Sequence, residues 1–199
     1  PYFQDQVVTE AAELLDVVRE SVQTGGYHIH TTLIKEHQRI FEEQVNRNIP
    51  AREEIQVASA VMNSHSGAIT ALIGGKDYGE SPFNRATQAK RSVGSTIKPF
   101  LYYAAIAEGY SPVTMKETQP IEIEVEGKTE PYIPSNFNDQ YAEEPITMAQ
   151  ALAVSDNIYA VKTHMDIGPE KLGKTMKTFG VEEAFKPHPS LALGYSSIS

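Results

Sequence analysis

The stretch RATQAKRSVGSTIKPF, residues 85–100, places a proline directly after a lysine, with a serine three residues before that lysine. Proline is tolerated in the first turn of a helix, where backbone N–H groups have no intrahelical acceptor. Pro99 therefore predicts a helix that begins near Ser95, and Gly109 is expected to end it. Ser95 and Lys98, three residues apart, are then neighbours on one face at the positive end of the helix.

Composition narrows the function classes. With 199 residues, 40% of them hydrophobic, the chain can bury the core of one domain, with or without an accessory arm. A net charge of −9 argues against nucleic acid as a partner, because phosphate binding needs clustered Lys and Arg. The absence of cysteine excludes disulfides and thiolate chemistry. No cofactor is predicted, and His28 and His30 lack a third ligand at metal spacing.

Periodicity in the first part of the chain predicts a mixed α and β region. Apolar spacing favours helices over residues 5–23 and 34–45, and the alternating YHIHTTL favours a short strand at 27–33. Pro50 is the predicted domain boundary. Two alternating runs, IQVASAVM and AITALIGG, flank the turn-rich NSHSG and predict a two-stranded hairpin.

The second part of the chain is predicted to be mostly helical. Residues 111–145 hold five prolines around the alternating segment IEIEVEG, which indicates an irregular excursion with a small hairpin. A capping-box pattern at Thr147 begins a helix that breaks at the polar triplet SDN, residues 155–157, and then resumes. Pro169 is expected to open another helix, which stops at Gly180.

Ser95 and Lys98 together are suited to acyl transfer. A serine hydroxyl becomes nucleophilic when a base takes its proton, and a lysine within hydrogen-bond reach can be that base. Burial and the positive helix end are both expected to lower the pKa of Lys98. The backbone N–H of Ser95 would be one oxyanion donor, with a second from elsewhere in the fold. Because Ser-x-x-Lys occurs by chance roughly 0.8 times in such a chain, the hypothesis depends on its placement at a helix start and on the SDN triplet.

Several stretches together resemble one known family. Residues 66–106, SGAITALIGGKDYGESPFNRATQAKRSVGSTIKPFLYYAAI, resemble the region around the nucleophile in class A penicillin-binding proteins, the peptidoglycan transpeptidases. YIPSNFND, ITMAQALAVSDNIYAVK and PSLALG look like successive landmarks of the same domain. PYFQDQV and GGYHIHTTL resemble the linker that enters it from the glycosyltransferase half. The resemblance covers essentially the whole chain.

The resemblance implies a role for each of four residues. Ser95 would be the acylated nucleophile and Lys98 its base. Ser155 would relay a proton between Lys98 and the leaving amine. Asn157 would hold the amide carbonyl of the substrate and help to keep Lys98 in place. Asp156 fills a position that the family leaves variable.

The implied fold is α/β (α+β): a partial serine β-lactamase/transpeptidase-like fold whose antiparallel sheet packs with a helical subdomain carrying SxxK and SxN. Residues 1–50 are expected to form a linker or N-terminal arm, and residues 51–199 the N-terminal portion of the transpeptidase domain. The third family motif, Lys-Thr/Ser-Gly, is absent, because KTE, KTH and KTM at 128, 162 and 174 lack the glycine. We therefore expect a piece of a longer protein, truncated before that motif and its C-terminal strands.

The implied function is a peptidoglycan D,D-transpeptidase, which forms an acyl-serine with D-Ala-D-Ala stem peptides and is a target of β-lactam antibiotics. The parent chain would carry a glycosyltransferase domain and an upstream membrane anchor, at the extracytoplasmic face of the bacterial membrane. One alternative is a serine β-lactamase, for which Glu182 or Glu183 would supply the deacylating base. Another is a non-catalytic fragment that binds penicillin or peptidoglycan, which the absent third motif favours.

Overall fold

A computed structural model describes residues 1–49 and 55–198 of the chain. These residues form two compact units, Pro1–Ala89 and Lys90–Ile198. The boundary predicted at Pro50 lies outside the described residues. Across the described part of the chain, no helix combines the length and the apolar character needed to cross a membrane.

The first unit combines three helices with a two-stranded antiparallel sheet. Its elements are α1 (Tyr2–Leu15), α2 (Arg19–Thr24), α3 (Lys35–Asn48), β1 (Ser59–Met62) and β2 (Ile69–Ile73). Ser59 of β1 pairs with Ile73 of β2, which confirms the predicted hairpin. Strand β2 is largely buried, whereas β1 is mostly exposed. The hairpin therefore contributes to the core mainly through β2.

Two local predictions for this unit are wrong. The helix expected over residues 5–23 is interrupted at Asp16, whose left-handed conformation (φ 53°) separates α1 from α2. Aspartate enters this region more readily than most residues, because its short polar side chain can bond the local backbone. The strand expected at 27–33 does not form. Directly after this segment, the N–H of Ile34 donates to the carbonyl oxygen of Thr70 in β2 at 3.0 Å. One such bond is not the ladder of backbone hydrogen bonds that a strand requires, and an alternating sequence does not supply that ladder by itself.

The regular secondary structure of the second unit is mainly helical, with two short antiparallel strand pairs. Its helices are α4 (Lys98–Ala107), α5 (Met148–Val154), α6 (Asn157–Ile167) and α7 (Lys171–Thr178), with 3₁₀ turns at Gly94–Ile97, Phe137–Asp139 and Pro189–Leu193. Its strands are β3 (Arg91–Ser92), paired with β6 (Ser197–Ile198), and β4 (Met115–Lys116), paired with β5 (Ile146–Thr147). This mixture of helices and small antiparallel sheets confirms the α+β class.

Helices α4 and α6 supply much of the core of the second unit. Leu101 and Ala105 of α4 are fully buried, as are Tyr159–Val161 at the start of α6. Tyr102 and Tyr159 meet edge to face, with ring centroids 5.9 Å apart. Because the first turn of α6 lies inside the core, the polar residues that precede it are anchored there as well.

The ends of these elements follow their local chemistry. Thr147 caps α5 through the predicted capping box. Helix α7 begins at Lys171, later than expected, because Pro169 lies in the turn before it. The hairpin predicted at IEIEVEG is reduced to an isolated bridge between Ile123 and Tyr132. The prolines around this segment cannot donate to a strand ladder, so pairing stops there.

Candidate active site

The turn that carries Ser95 is a 3₁₀ turn, Gly94–Ile97, and α4 begins directly after it at Lys98. Gly94 enters the turn with a φ of 53°, a conformation that favours glycine. Ile97 and Lys98 are buried, whereas Ser95 is exposed. Ile97, the last residue of the turn, and Lys98, the first residue of the helix, thus anchor the turn and leave the serine accessible to a substrate.

Gly194 supports the entrance to the serine turn. Its carbonyl oxygen accepts hydrogen bonds from the N–H of Gly94 (3.2 Å) and from the hydroxyl of Ser92 (2.6 Å). A Cβ placed on Gly194 would lie 2.1 Å from the carbonyl oxygen of Gly94, far inside van der Waals contact. Glycine at position 194 therefore allows two backbone segments to touch directly beneath the serine turn.

Lys98 lies at the start of α4 with 1% of its surface exposed. Its Nζ lies 2.6 Å from the carbonyl oxygen of Ser155, 3.0 Å from the hydroxyl of Ser155 and 2.7 Å from Oδ1 of Asn157. These acceptors satisfy the three N–H donors of an ammonium group. Within the described residues, no hydrogen bond joins Nζ to the hydroxyl of Ser95. Such contacts between base and nucleophile often form only when substrate is bound.

A sharp turn between α5 and α6 brings the acceptors of Lys98 together. Ser155 ends α5 in a left-handed conformation (φ 57°), which is uncommon for serine and typical of functional sites. Asp156 then caps α6, since its Oδ1 accepts the N–H of Tyr159 at 2.7 Å. The SDN triplet that breaks the predicted helix is therefore a defined helix-to-helix turn.

The carboxamide of Asn157 is oriented by its second partner. Its Nδ2 donates to the carbonyl oxygen of Ser135 at 2.7 Å, and this leaves Oδ1 facing Lys98. A rotated amide would place a donor against the ammonium group, so the contact with Ser135 selects one orientation.

Burial has the largest effect on the charge of Lys98. It lowers the pKa of the ammonium group from 10.5 to about 8, because the charged form loses its hydration, and the carboxylate of Asp156 opposes this by raising the pKa. The direction is the one predicted from the sequence. A lowered pKa increases the fraction of Lys98 that is present as the neutral amine near neutral pH, compared with an unshifted lysine.

The structure brings three of the four predicted site residues into direct contact, namely Lys98, Ser155 and Asn157. Ser95 lies in the turn that leads to Lys98. Sequence reasoning assigned no role to Asn136, whose side chain bonds the SDN turn. The stretch YIPSNFND around it was a family landmark, but nothing in that stretch indicates its partner.

A family model for the penicillin binding protein transpeptidase domain matches residues 57–191, more than half of the chain. The chain belongs to this family of penicillin-binding protein transpeptidase domains. The resemblance seen in residues 66–106 is thereby confirmed. Penicillin-binding protein 2D of Bacillus subtilis is 48% identical over 194 residues, which cover 98% of this chain and 28% of that protein. Penicillin-binding protein 1A of Escherichia coli is 38% identical over 147 residues, covering 73% of this chain and 17% of that protein.

Solved structures give the same assignment of fold. A crystal structure of penicillin-binding protein 1A from Haemophilus influenzae is 34% identical and matches 72% of this chain and 21% of its own, with a TM-score of 0.68. The PonA1 protein of Mycobacterium tuberculosis, solved in complex with penicillin V, is 22% identical and matches 98% of this chain and 54% of its own, with a TM-score of 0.83. The chain thus spans only part of the length of these relatives.

Proposed function

We propose that the full-length protein is a serine-type D,D-transpeptidase of peptidoglycan synthesis and that Ser95 carries the acyl group. The observation that supports this function best is the buried Lys98, whose pKa is lowered to about 8 and whose Nζ is held by Ser155 and Asn157. A buried lysine beside an exposed serine, at the start of one helix, has the arrangement that an activated serine nucleophile needs.

In the proposed acylation, Oγ of Ser95 attacks the carbonyl carbon of the penultimate D-alanine, and its proton passes to the neutral amine of Lys98. The tetrahedral intermediate then collapses and the C–N bond to the terminal D-alanine breaks. Ser155 passes its hydroxyl proton to the leaving amine and takes the proton of the Lys98 ammonium group in exchange, which returns Lys98 to the neutral amine. An amine of a second stem peptide attacks the acyl-serine in the reverse sequence, which forms the cross-link and restores Ser95.

The contacts of Lys98 are compatible with both of its protonation states. As an ammonium group it donates to all three oxygens. As a neutral amine it can donate to the carbonyl of Ser155 and to Oδ1 of Asn157, while its lone pair accepts a hydrogen bond from the hydroxyl of Ser155. Rotation of one hydroxyl thus accommodates the change of charge, which supports a relay role for Ser155.

The proposal also extends to the parent protein. β-Lactams would acylate Ser95 in place of the D-Ala-D-Ala dipeptide, and Asn157 would bind the amide carbonyl of the substrate. Residues 1–50 would form the linker and residues 51–199 the N-terminal portion of the transpeptidase domain. The parent chain would add a glycosyltransferase domain and a membrane anchor, so that the site faces peptidoglycan outside the cytoplasm.

Covalent labelling tests this function directly. The full-length protein is incubated with penicillin, digested with trypsin and analysed by mass spectrometry. The adduct is expected on the peptide Ser92–Lys116, since trypsin does not cleave before Pro99, and fragmentation should place it on Ser95 rather than on Ser92 or Ser111. No adduct, or an adduct on another residue, would contradict the proposal. Rapid loss of the adduct with release of hydrolysed penicillin would identify a β-lactamase instead.

The rate of acylation is expected to rise with pH up to about 8 and then to level off. Only the neutral amine of Lys98 can accept the proton of Ser95, and its fraction increases tenfold per pH unit below the pKa of about 8. The measurement is the second-order rate constant for fluorescent penicillin between pH 6 and 9.5. A rate that kept rising to pH 9.5 would show that the pKa of Lys98 is not lowered.

A further inference from the structure

The side chain of Asn136 links the SDN turn to the preceding loop. Its Oδ1 accepts the backbone N–H of Asn157 at 2.7 Å and lies 3.4 Å from the N–H of Ile158. Its Nδ2 donates to Oδ2 of Asp156 at 2.7 Å and to the carbonyl of Gln140 at 3.0 Å. Asn136 therefore uses both ends of its amide, and most of these contacts are to residues of the turn and of the first turn of α6.

Asp156 completes the connection. It is 5% exposed, and its two carboxylate oxygens have different tasks: Oδ1 caps α6 through the N–H of Tyr159, and Oδ2 accepts from Asn136. A buried carboxylate is retained at low energetic cost only when its oxygens are hydrogen-bonded, as they are here. Asp156 is thus tied to the helix on one side and to Asn136 on the other.

This pair determines where the acceptors of Lys98 lie. Ser155 and Asn157 flank Asp156 in the chain, and both contact Nζ of Lys98. The residue next to Asn136, Ser135, orients the carboxamide of Asn157 through its carbonyl. Each of the Lys98 contacts therefore depends on a turn whose backbone and central side chain are bonded to the 135–136 dipeptide.

We propose that Asn136 and Asp156 are positioning residues for the lysine base: their hydrogen-bonded pair holds the 155–157 turn so that its oxygens converge on Nζ of Lys98. This inference rests on the proposed transpeptidase function and adds two residues that act through Lys98 rather than on the substrate. It also gives Asp156 a specific partner in this protein, the side chain of Asn136.

The charges around Lys98 make the proposal measurable. The negative charge of the Asp156 carboxylate raises the pKa of Lys98 and so opposes the effect of burial, which lowers it. Tyr102, one turn further along α4, and Tyr159 of α6 are phenols whose pKa values are raised by burial, so they remain neutral between pH 6 and 9. The removal of the Asp156 charge is therefore expected to shift the pH midpoint of acylation to a lower value.

Five variants of the full-length protein, one of them a control, test the pair with fluorescent penicillin. Asn136→Ala is expected to lower the acylation rate about 10- to 100-fold, because a small displacement of catalytic groups has effects of that size. The matched control is Asn63→Ala, since Oδ1 of Asn63 also accepts two backbone N–H groups, in the β1–β2 turn. Asp156→Asn keeps an N-cap but places two amide groups against each other, so the rate falls and the midpoint moves to lower pH.

The double exchange Asn136→Asp with Asp156→Asn restores a donor and an acceptor at this contact. Its rate is expected to exceed the rates of Asn136→Asp alone and of Asp156→Asn alone by about tenfold, a coupling typical of residues in direct contact. Equal rates for Asn136→Ala and Asn63→Ala, an unchanged midpoint in Asp156→Asn, or no recovery in the double exchange would each overturn the proposal. A wild-type protein that forms no Ser95 adduct would instead overturn the proposed function.

Discussion

Replacement of Lys98 by methionine in the full-length protein is expected to slow acylation by penicillin about 10²- to 10⁴-fold, the range that a general base contributes. Methionine fills a similar volume at the start of α4 but cannot take the proton of Ser95. The measurement is the second-order rate constant of labelling, with the Ser95→Ala variant as the background.

Lys162→Met is the matched control for this prediction. Lys162, on α6, also donates to a backbone carbonyl, that of Glu117 at 2.6 Å, but among the described residues its side chain forms no hydrogen bond with the SDN turn. Its replacement is expected to leave the acylation rate unchanged. If Lys98→Met were acylated as fast as the control, another group would have to be the base, and the proposed role of Lys98 would be wrong.

Replacement of Gly194 by alanine is expected to have the second largest effect on the acylation rate, although Gly194 is not one of the four candidate site residues. The new Cβ would lie 2.1 Å from the carbonyl oxygen and 2.5 Å from the nitrogen of Gly94, and neither backbone atom can move without shifting the serine turn. Overpacking of this kind destabilises proteins by about 1–3 kcal/mol. The left-handed conformation of Gly194 (φ 70°) adds about 1–2 kcal/mol for a residue with a Cβ.

Displacement of the serine turn should lower the acylation rate about 100-fold in Gly194→Ala, because misplacement by about 1 Å has effects of this size. Gly127→Ala separates the two causes, since Gly127 has a similar φ of 75° but open space around its Cβ position. That variant should lose some stability and keep its acylation rate. An acylation rate for Gly194→Ala within twofold of the control would show that the contact between Gly94 and Gly194 does not position Ser95.

Much of the fold could be predicted where local chemistry decides the structure. The capping residue Thr147 and the alternation of the β1–β2 hairpin act over a few residues, and both predictions are confirmed. The break at Asp16 and the missing strand at 27–33 could not be predicted in the same way. A single residue in the left-handed conformation does not change the helical spacing of the apolar residues around it, so the break is not visible in that spacing. A strand forms only if another backbone segment pairs with it, and an alternating sequence does not show whether such a partner exists.

The same distinction applies to the candidate site. The sequence by itself predicted the candidate residues, because Pro99 marks the helix start beside Ser95 and Lys98, and the SDN triplet interrupts a helix that would otherwise continue; the family resemblance then implied their roles. Only the tertiary structure decided that Lys98 bonds Ser155 and Asn157, which lie 57 and 59 residues further along the chain. Those contacts require the packing of α4 against α6, and hydrogen-bond geometry over such a separation is not encoded in any local pattern.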